Sequence, residues 1–336
     1  MESRQSALFL YEEAMLFAYS AALRAAAAIG VADHLAAGPR SAADLAAATG
    51  VEADTLHRIL RPLAARGIAE HHGDGRWSLT GKGAALCSDA EVPACAGILM
   101  FTDPMFWTMT HELSASAADR DRTFERGFGQ SLDAYFDVDE DRARLFYDGM
   151  ETVSDAENPL VARSYEFPES GTVMDLGGRF GGLLMVVLRQ NLGLYGVLFD
   201  RGPLVERNRL GGEDAADLAG RWEAVGGDYF VEIPPADIYL LKRGLHNWGD
   251  EDCVRLLTNC RRAMKPDGRV LVIDAIVPDG NEPHVSKAMD YLMLAVLTGR
   301  ERTVAELEPL VDAADLRISR VIPTPSPMSI VECVVR

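Results

Sequence analysis

The stretch that most constrains this chain is Val173-Met174-Asp175-Leu176-Gly177-Gly178-Arg179-Phe180-Gly181-Gly182, followed by the apolar run Leu183–Leu188. A short apolar start, a glycine-rich turn and a second apolar run read as strand, tight loop and helix. Such a loop brings backbone N–H groups and a helix N-terminus close to a nucleotide-like ligand. Beyond it, short apolar strands alternate with helical segments. "YGVLFD", "RWEAVGGDYF", "DIYLLKRG" and "GRVLVIDAIV" read as strands or contain them, and "GGLLMVVLRQN" and "DEDCVRLLTNCRRAM" read as helices. The end, "LRISRVIPTPSPMSIVECVV", reads as a closing hairpin. This alternation predicts a doubly wound α/β domain starting near Gly171.

The first half is patterned differently. Residues 7–37 are rich in Ala and Leu and apolar nearly all round. A helix of that kind is buried, either in its own core or against a second copy. "SAADLAAATG" offers Ser41 as N-cap and Gly50 as stop, and "EADTLHRILRPLAARG" sets Leu56, Ile59, Leu60 and Leu63 at helical spacing before Gly67. "IAEHHGDGRWSLT" reads as a hairpin turning at Gly73, Asp74 and Gly75. Helix, helix and hairpin outline a winged helix, a shape that serves DNA binding in some proteins and packing or dimerisation in others. Residues 91–165 read as further helices.

Charge chooses between those uses. The 336-residue chain carries a net charge of −18 and no basic run, and its only lysines are Lys82, Lys242, Lys265 and Lys287. An acidic chain without a basic patch is repelled by nucleic acid and by anionic membranes, so neither is an expected partner. The five cysteines are scattered with no C-x-x-C pair, which argues for free buried thiols rather than a disulfide framework or a zinc site. No apolar run approaches ~20 residues and no basic-then-apolar leader opens the chain, so the expected location is the cytoplasm.

The order of the second-half motifs is specific. Asp175-Leu-Gly177-Gly178 follows the first strand and Asp200-Arg201 ends the second. Gly227-Asp228-Tyr229-Phe230 follows the third, and Lys242 with "GLHNW" follows the fourth. This series resembles the class I S-adenosylmethionine-dependent small-molecule O-methyltransferases, the family of plant phenylpropanoid and bacterial antibiotic-tailoring enzymes. The resemblance covers nearly the whole chain. It implies a winged-helix-like dimerisation domain at 1–100, a helical linker contributing to the acceptor pocket at 101–165, and a Rossmann-like cofactor-binding domain at 166–336. It also implies a homodimer through the N-terminal helices.

The resemblance implies roles for single residues. S-adenosylmethionine (SAM), leaving as S-adenosylhomocysteine (SAH), would lie against Asp175, Gly177, Gly178, Arg179, Arg201 and Gly227. Asp200 would hold the ribose, Asp228 with Tyr229 or Phe230 the adenine, and Lys242 the methionine end. His246 matches the family's base, and a neutral imidazole in reach of a phenol of pKa ~10 can take its proton. Asp274 and Glu301 match the flanking acids that orient it. Trp107, Phe146 and Met150 match positions that sandwich a flat acceptor. Met289 and Met293, four apart on one helix face, either line the acceptor pocket or belong to the core. Asn247 stands where the family often has Asp, and no metal is expected. Asp200 and Asp228 as plain turn caps and Phe230 as plain core are the alternative readings.

Two points stay open in the sequence. Arg179 stands where the family pattern Asp-x-Gly-Gly-Gly-x-Gly has its third glycine. If that position needs positive φ, arginine there costs ~1–2 kcal/mol; if not, Arg179 is free to face solvent or to pair with the cofactor carboxylate. The chemistry is also open between phenolic O-methylation, methylation of a phenazine or other nitrogen heterocycle, and a SAM-binding tailoring reaction that transfers no methyl group.

Overall fold

The computed structural model describes residues 2–116, 123–297 and 299–336. Its contacts divide the chain into two compact units, Met1–Trp107 with Phe136–Val153, and Thr108–Tyr135 with Ser154–Arg336.

The first unit contains a winged helix. Ser41 caps the helix Ala42–Thr49 in a reciprocal box with Asp44, and Gly50 ends it in the left-handed conformation. The helix Ala53–Ala65 buries Leu56, Leu60 and Leu63. Three short strands, β1 (Arg40–Ser41), β2 (Ala69–His71) and β3 (Arg76–Leu79), form an antiparallel sheet in the order β1-β3-β2. Trp77 on β3 is buried against these helices.

The apolar stretch 7–37 is not one helix but falls in three: Glu2–Ala14, Phe17–Ile29 and Val31–Leu35. Gly30, at φ 70°, closes the second by donating its N–H to Ala26 and Ala27 carbonyls. Its apolar surface is only partly covered. Leu8, Phe9, Leu10, Tyr11 and Phe17 are each about 60% exposed or more in the single chain.

The second unit is built on a seven-stranded sheet. Its strands are β4 (Gly171–Leu176), β5 (Leu194–Asp200), β6 (Trp222–Gly226), β7 (Ile238–Lys242), β8 (Arg269–Asp274), β9 (Leu316–Pro323) and β10 (Ser329–Val335). They lie in the order β6-β5-β4-β7-β8-β10-β9. β6 to β8 run parallel, and β10 is antiparallel to β8 and to β9. Both faces are buried, and the period of two divides the residues between them. Val173, Leu198, Leu240 and Leu271 pack on one side, and Met174, Val197, Tyr239 and Val272 on the other.

This topology places the site. The chain winds outward from β4 through β5 to β6, then jumps back to β7 on the other side of β4. The strand order reverses between β4 and β7, and ligands of open α/β sheets bind outside the carboxyl ends of strands at such a point. The ends of β4, β5, β6, β7 and β8 carry Asp175 to Gly178, Asp200, Gly226 to Asp228, Lys242 and Asp274. Among the described residues all five cysteines are free, and no helix is long and apolar enough to cross a membrane.

Candidate active site

The glycine-rich loop turns on three left-handed residues, Gly177 (φ 73°), Arg179 (φ 54°) and Gly181 (φ 81°), before the helix Gly182–Gln190 begins. The position that family sequences fill with glycine therefore does need positive φ, and Arg179 meets it under strain of ~1–2 kcal/mol. The backbone N–H of Arg179 donates to Asp200 Oδ2 at 2.9 Å, and that of Arg201 to Asp200 Oδ1 at 2.7 Å. Asp200 is buried and thus ties the loop to the end of β5. Each of its oxygens keeps a further lone pair.

Asp175 packs beneath the loop. A Cβ on Gly178 would fall 2.4 Å from the Asp175 carboxyl carbon, so only glycine fits there. Burial pushes the Asp175 carboxyl up to about 7, opposed by the nearby Lys242 charge. Its Oδ2 has no hydrogen-bond partner among the described residues.

At the end of β6 the packing again demands glycine. The Gly227 N–H donates to the Asp200 carbonyl at 2.9 Å, and a Cβ there would lie 2.4 Å from the Phe199 ring. Asp228 Oδ1 accepts the Phe230 N–H at 2.8 Å, an ordinary turn cap that leaves Oδ2 unassigned. The Tyr229 ring sits 3.8 Å from where a Gly177 Cβ would be, facing the glycine-rich loop. Phe230 packs edge-on against Trp248, with centroids 4.9 Å apart, and Arg255 lies over it.

Lys242, at the end of β7, has a side chain only 6% exposed and donates to Ser154 O (3.2 Å), Ser154 Oγ (2.7 Å) and Asn158 Oδ1 (2.8 Å). It also pairs with Glu157 Oε2 at 3.1 Å, and Arg243 pairs with Glu157 Oε1 at 2.6 Å. Burial would push the Glu157 carboxyl up, but Arg243 and Lys242 together hold it below the usual carboxylate range. Arg243, at φ 51°, turns the chain out of the strand.

The short turn Leu245–Asn247 follows, with His246 buried in it. His246 Nδ1 lies 2.8 Å from Glu301 Oε1. A carboxylate only accepts, so Nδ1–H is the donor, and in the neutral ring Nε2 is then the atom that carries the lone pair. Asp274, the last residue of β8, is also buried. Burial pushes its carboxyl up to about 6, an effect that a protonated His246 opposes and the Glu301 charge adds to. Asp274 Oδ1 and Glu301 Oε2 have no hydrogen-bond partner among the described residues. Asn247 Nδ2 donates to the Arg243 carbonyl at 2.8 Å.

The expected acceptor residues fall in both units. Trp107, Phe146 and Met150 belong to the first; Phe146 packs on Phe136 with centroids 4.8 Å apart. Met289 and Met293 lie in the second on the helix Val285–Val296, and Met289 packs against the core beneath the sheet. Part of the helical reading of 91–165, residues 117–122, lies outside the described residues. Among the described residues the one cluster of metal-ligating types, Asp33, Cys87 and Asp89, is in the first unit.

Sequence reasoning missed Ser154, Glu157, Asn158, Arg243 and Arg302. The spacing of 154, 157 and 158 places three polar side chains on one helix face, which is a readable signal. Their partners stand 84 to 88 residues away, which is not.

The residues at the sheet edge fit SAM. An acid with two free lone pairs ends β5, a buried carboxyl oxygen without a partner lies under the loop, and the left-handed Gly177 turns the loop close to the Tyr229 ring. Fold and site together define a class I methyltransferase. Residues 110–317 match the model of the O-methyltransferase domain, and residues 12–89 that of the O-methyltransferase dimerisation domain. The chain belongs to this family of SAM-dependent O-methyltransferases of secondary metabolism. It is 36% identical to the mitomycin biosynthesis 6-O-methyltransferase of Streptomyces lavendulae, over 93% of this chain and 89% of that one. It is 33% identical to the phenazine O-methyltransferase PhzM of Lysobacter antibioticus, over 92% and 91% of the two chains. Among solved structures it is similar to CalO1, a methyltransferase in calicheamicin biosynthesis in its SAH-bound form, with a TM-score of 0.95 and 59% identity over all of both chains.

Proposed function

We propose that the chain methylates a phenolic hydroxyl of an aromatic or polyketide-type antibiotic intermediate, with His246 as general base. The observation that carries this reading is the His246–Glu301 pair at the carboxyl edge of the sheet, buried beside Asp274. The cofactor supplies an activated methyl group when bound, so the protein's share is to align the acceptor and remove its proton. Nε2 of His246 accepts the phenolic proton as charge develops. Glu301 holds the ring in the tautomer that makes this possible, and the Asp274 carboxylate offsets the positive imidazolium.

In this reading Asp200 holds the ribose, Asp228 with Tyr229 or Phe230 the adenine, and Lys242 organises the methionine end through Ser154 and Asn158. Asp175, Gly177, Gly178, Arg179, Arg201 and Gly227 complete the cofactor side. Asn247, Met289 and Met293, all in the second unit, are the acceptor-side residues of this reading. Residues 1–100 pair two copies, 101–165 contribute to the acceptor pocket, and 166–336 hold the cofactor. The second reading, a phenazine or other nitrogen-heterocycle acceptor, draws on the similarity to PhzM.

The test is methyl transfer from SAM to a panel of phenols and hydroxynaphthoates, with SAH binding measured by calorimetry. His246→Ala is expected to keep SAH affinity and to lower kcat/KM by ~10²–10⁴-fold. Unchanged transfer in that variant would overturn the base role and favour an acceptor that needs no base.

A further inference from the structure

Glu301 is followed by a buried arginine that the proposed chemistry does not use. Arg302 is 4% exposed, and it reaches back across more than fifty residues to the turn that carries His246. Its Nη1 donates to the Leu245 carbonyl at 3.2 Å and its Nη2 to the Trp248 carbonyl at 2.9 Å. Leu245 and Trp248 are the two ends of that turn, joined by the bond from Trp248 N–H to Leu245 O at 3.1 Å. The outer side of the guanidinium pairs with Asp250 Oδ1, 2.7 Å from Nη2 and 3.2 Å from Nε.

The same segment touches the turn a second time. A Cβ on Gly299 would fall 1.9 Å from the His246 carbonyl oxygen and 2.5 Å from the Asn247 carbonyl carbon. Backbone lies directly on backbone there, and a side chain has no room. The segment is itself pinned. Glu301 N–H donates to Asp290 Oδ1 at 3.0 Å, and the Arg302 carbonyl accepts the Val277 N–H at 3.0 Å, just beyond Asp274.

We propose that Arg302 and Gly299 are positioning residues for His246: they clamp its turn to the Glu301 segment, so that Nδ1 stays on Glu301 and Nε2 stays presented. The physical reason is that a three-residue turn has a single internal bond and no ladder to hold it. A rigid five-donor fork across both end carbonyls fixes its translation and tilt, and the glycine fixes its distance. The proposal rests on His246 being the base, but its first readout does not.

That readout is the His246 Nδ1–H proton in the low-field NMR spectrum of the SAH-bound protein, assigned by its absence from His246→Asn. Arg302→Met and Gly299→Ala are each expected to lose or broaden this resonance while SAH affinity is kept. Arg302→Lys, which restores the charge but not the fork, is expected to recover it in part. With a phenolic acceptor turned over by the wild type, Arg302→Met is expected to lower kcat by ~10²-fold with KM little changed, the effect of a misplaced base.

A folded, SAH-binding Arg302→Met protein that keeps both resonance and kcat overturns the proposal. So does loss of SAH affinity in step with the resonance, which marks a general structural role. Should Arg302→Met not fold, Asp250→Asn, which releases only the outer half of the clamp, is expected to broaden the resonance, and a wild-type spectrum from it overturns the proposal. If the resonance behaves as expected while His246→Ala leaves transfer unchanged, the clamp stands and the base role falls.

Discussion

Two residues in the site are held where their chemistry alone would not put them. Arg179 occupies a left-handed position under ~1–2 kcal/mol of strain. Glycine there relieves the strain but loses entropy from a freer unfolded chain. Arg179→Gly is therefore expected to stabilise by no more than ~1 kcal/mol, and Arg179→Val to destabilise by more than ~1 kcal/mol, because a β-branched residue fits positive φ worse. Thermal unfolding of the ligand-free protein checks both. Asp274 is held at about 6 by burial, above its ordinary 3.8. Between those values the folded protein keeps a proton that the unfolded chain has released, so this group destabilises the fold as pH rises through the window, fully so above it. Asp274→Asn is expected to be near neutral at about pH 4 and stabilising by up to ~3 kcal/mol at about pH 8, while impairing transfer. Urea unfolding of variant and wild type at the two pH values measures the difference.

At the scale of elements, the base and its partner arrive from two separate pieces of chain. One follows β7 and the other precedes the helix Val304–Ala313. Thr303 starts that helix with a capping box, its Oγ1 accepting the Glu306 N–H at 3.1 Å and Glu306 Oε2 accepting the Thr303 N–H at 2.9 Å. Thr303→Ala is expected to cost about 1 kcal/mol in denaturant unfolding. This box was legible, since a threonine three residues before a glutamate is a local signal, and so were the seven strands of the large sheet. The three-part break of the apolar stretch 7–37 was not read, although Gly30 marks one of its ends. Composition showed an apolar surface, and only the structure shows how much of it the single chain leaves open.

That open surface belongs to the whole molecule. The helix Glu2–Ala14, the link after it and the start of the next helix expose Leu8, Phe9, Leu10, Tyr11, Met15 and Phe17. A patch of this kind on a chain with a dimerisation domain is an interface in waiting. The protein is expected to sediment as a dimer, and the pair Leu10→Glu with Phe17→Glu to shift it to a monomer. A dimer that survives both changes would place the interface elsewhere.

The sequence by itself determined the α/β class, the family, the cofactor and the residues at each strand end. These follow from local signals in a fixed order: period-two burial, glycines at turns, an acid at the end of a strand, a histidine after another. Only the tertiary structure decided that Arg179 sits at positive φ, that Glu157 holds Lys242 and Arg243, and that Arg302 and Gly299 grip the turn of His246. The last two rest on contacts between residues more than fifty positions apart, and the first on a loop tied to Asp200, 21 positions on. No local spacing encodes which buried charge meets which, because the sheet order and the two packed faces set those meetings.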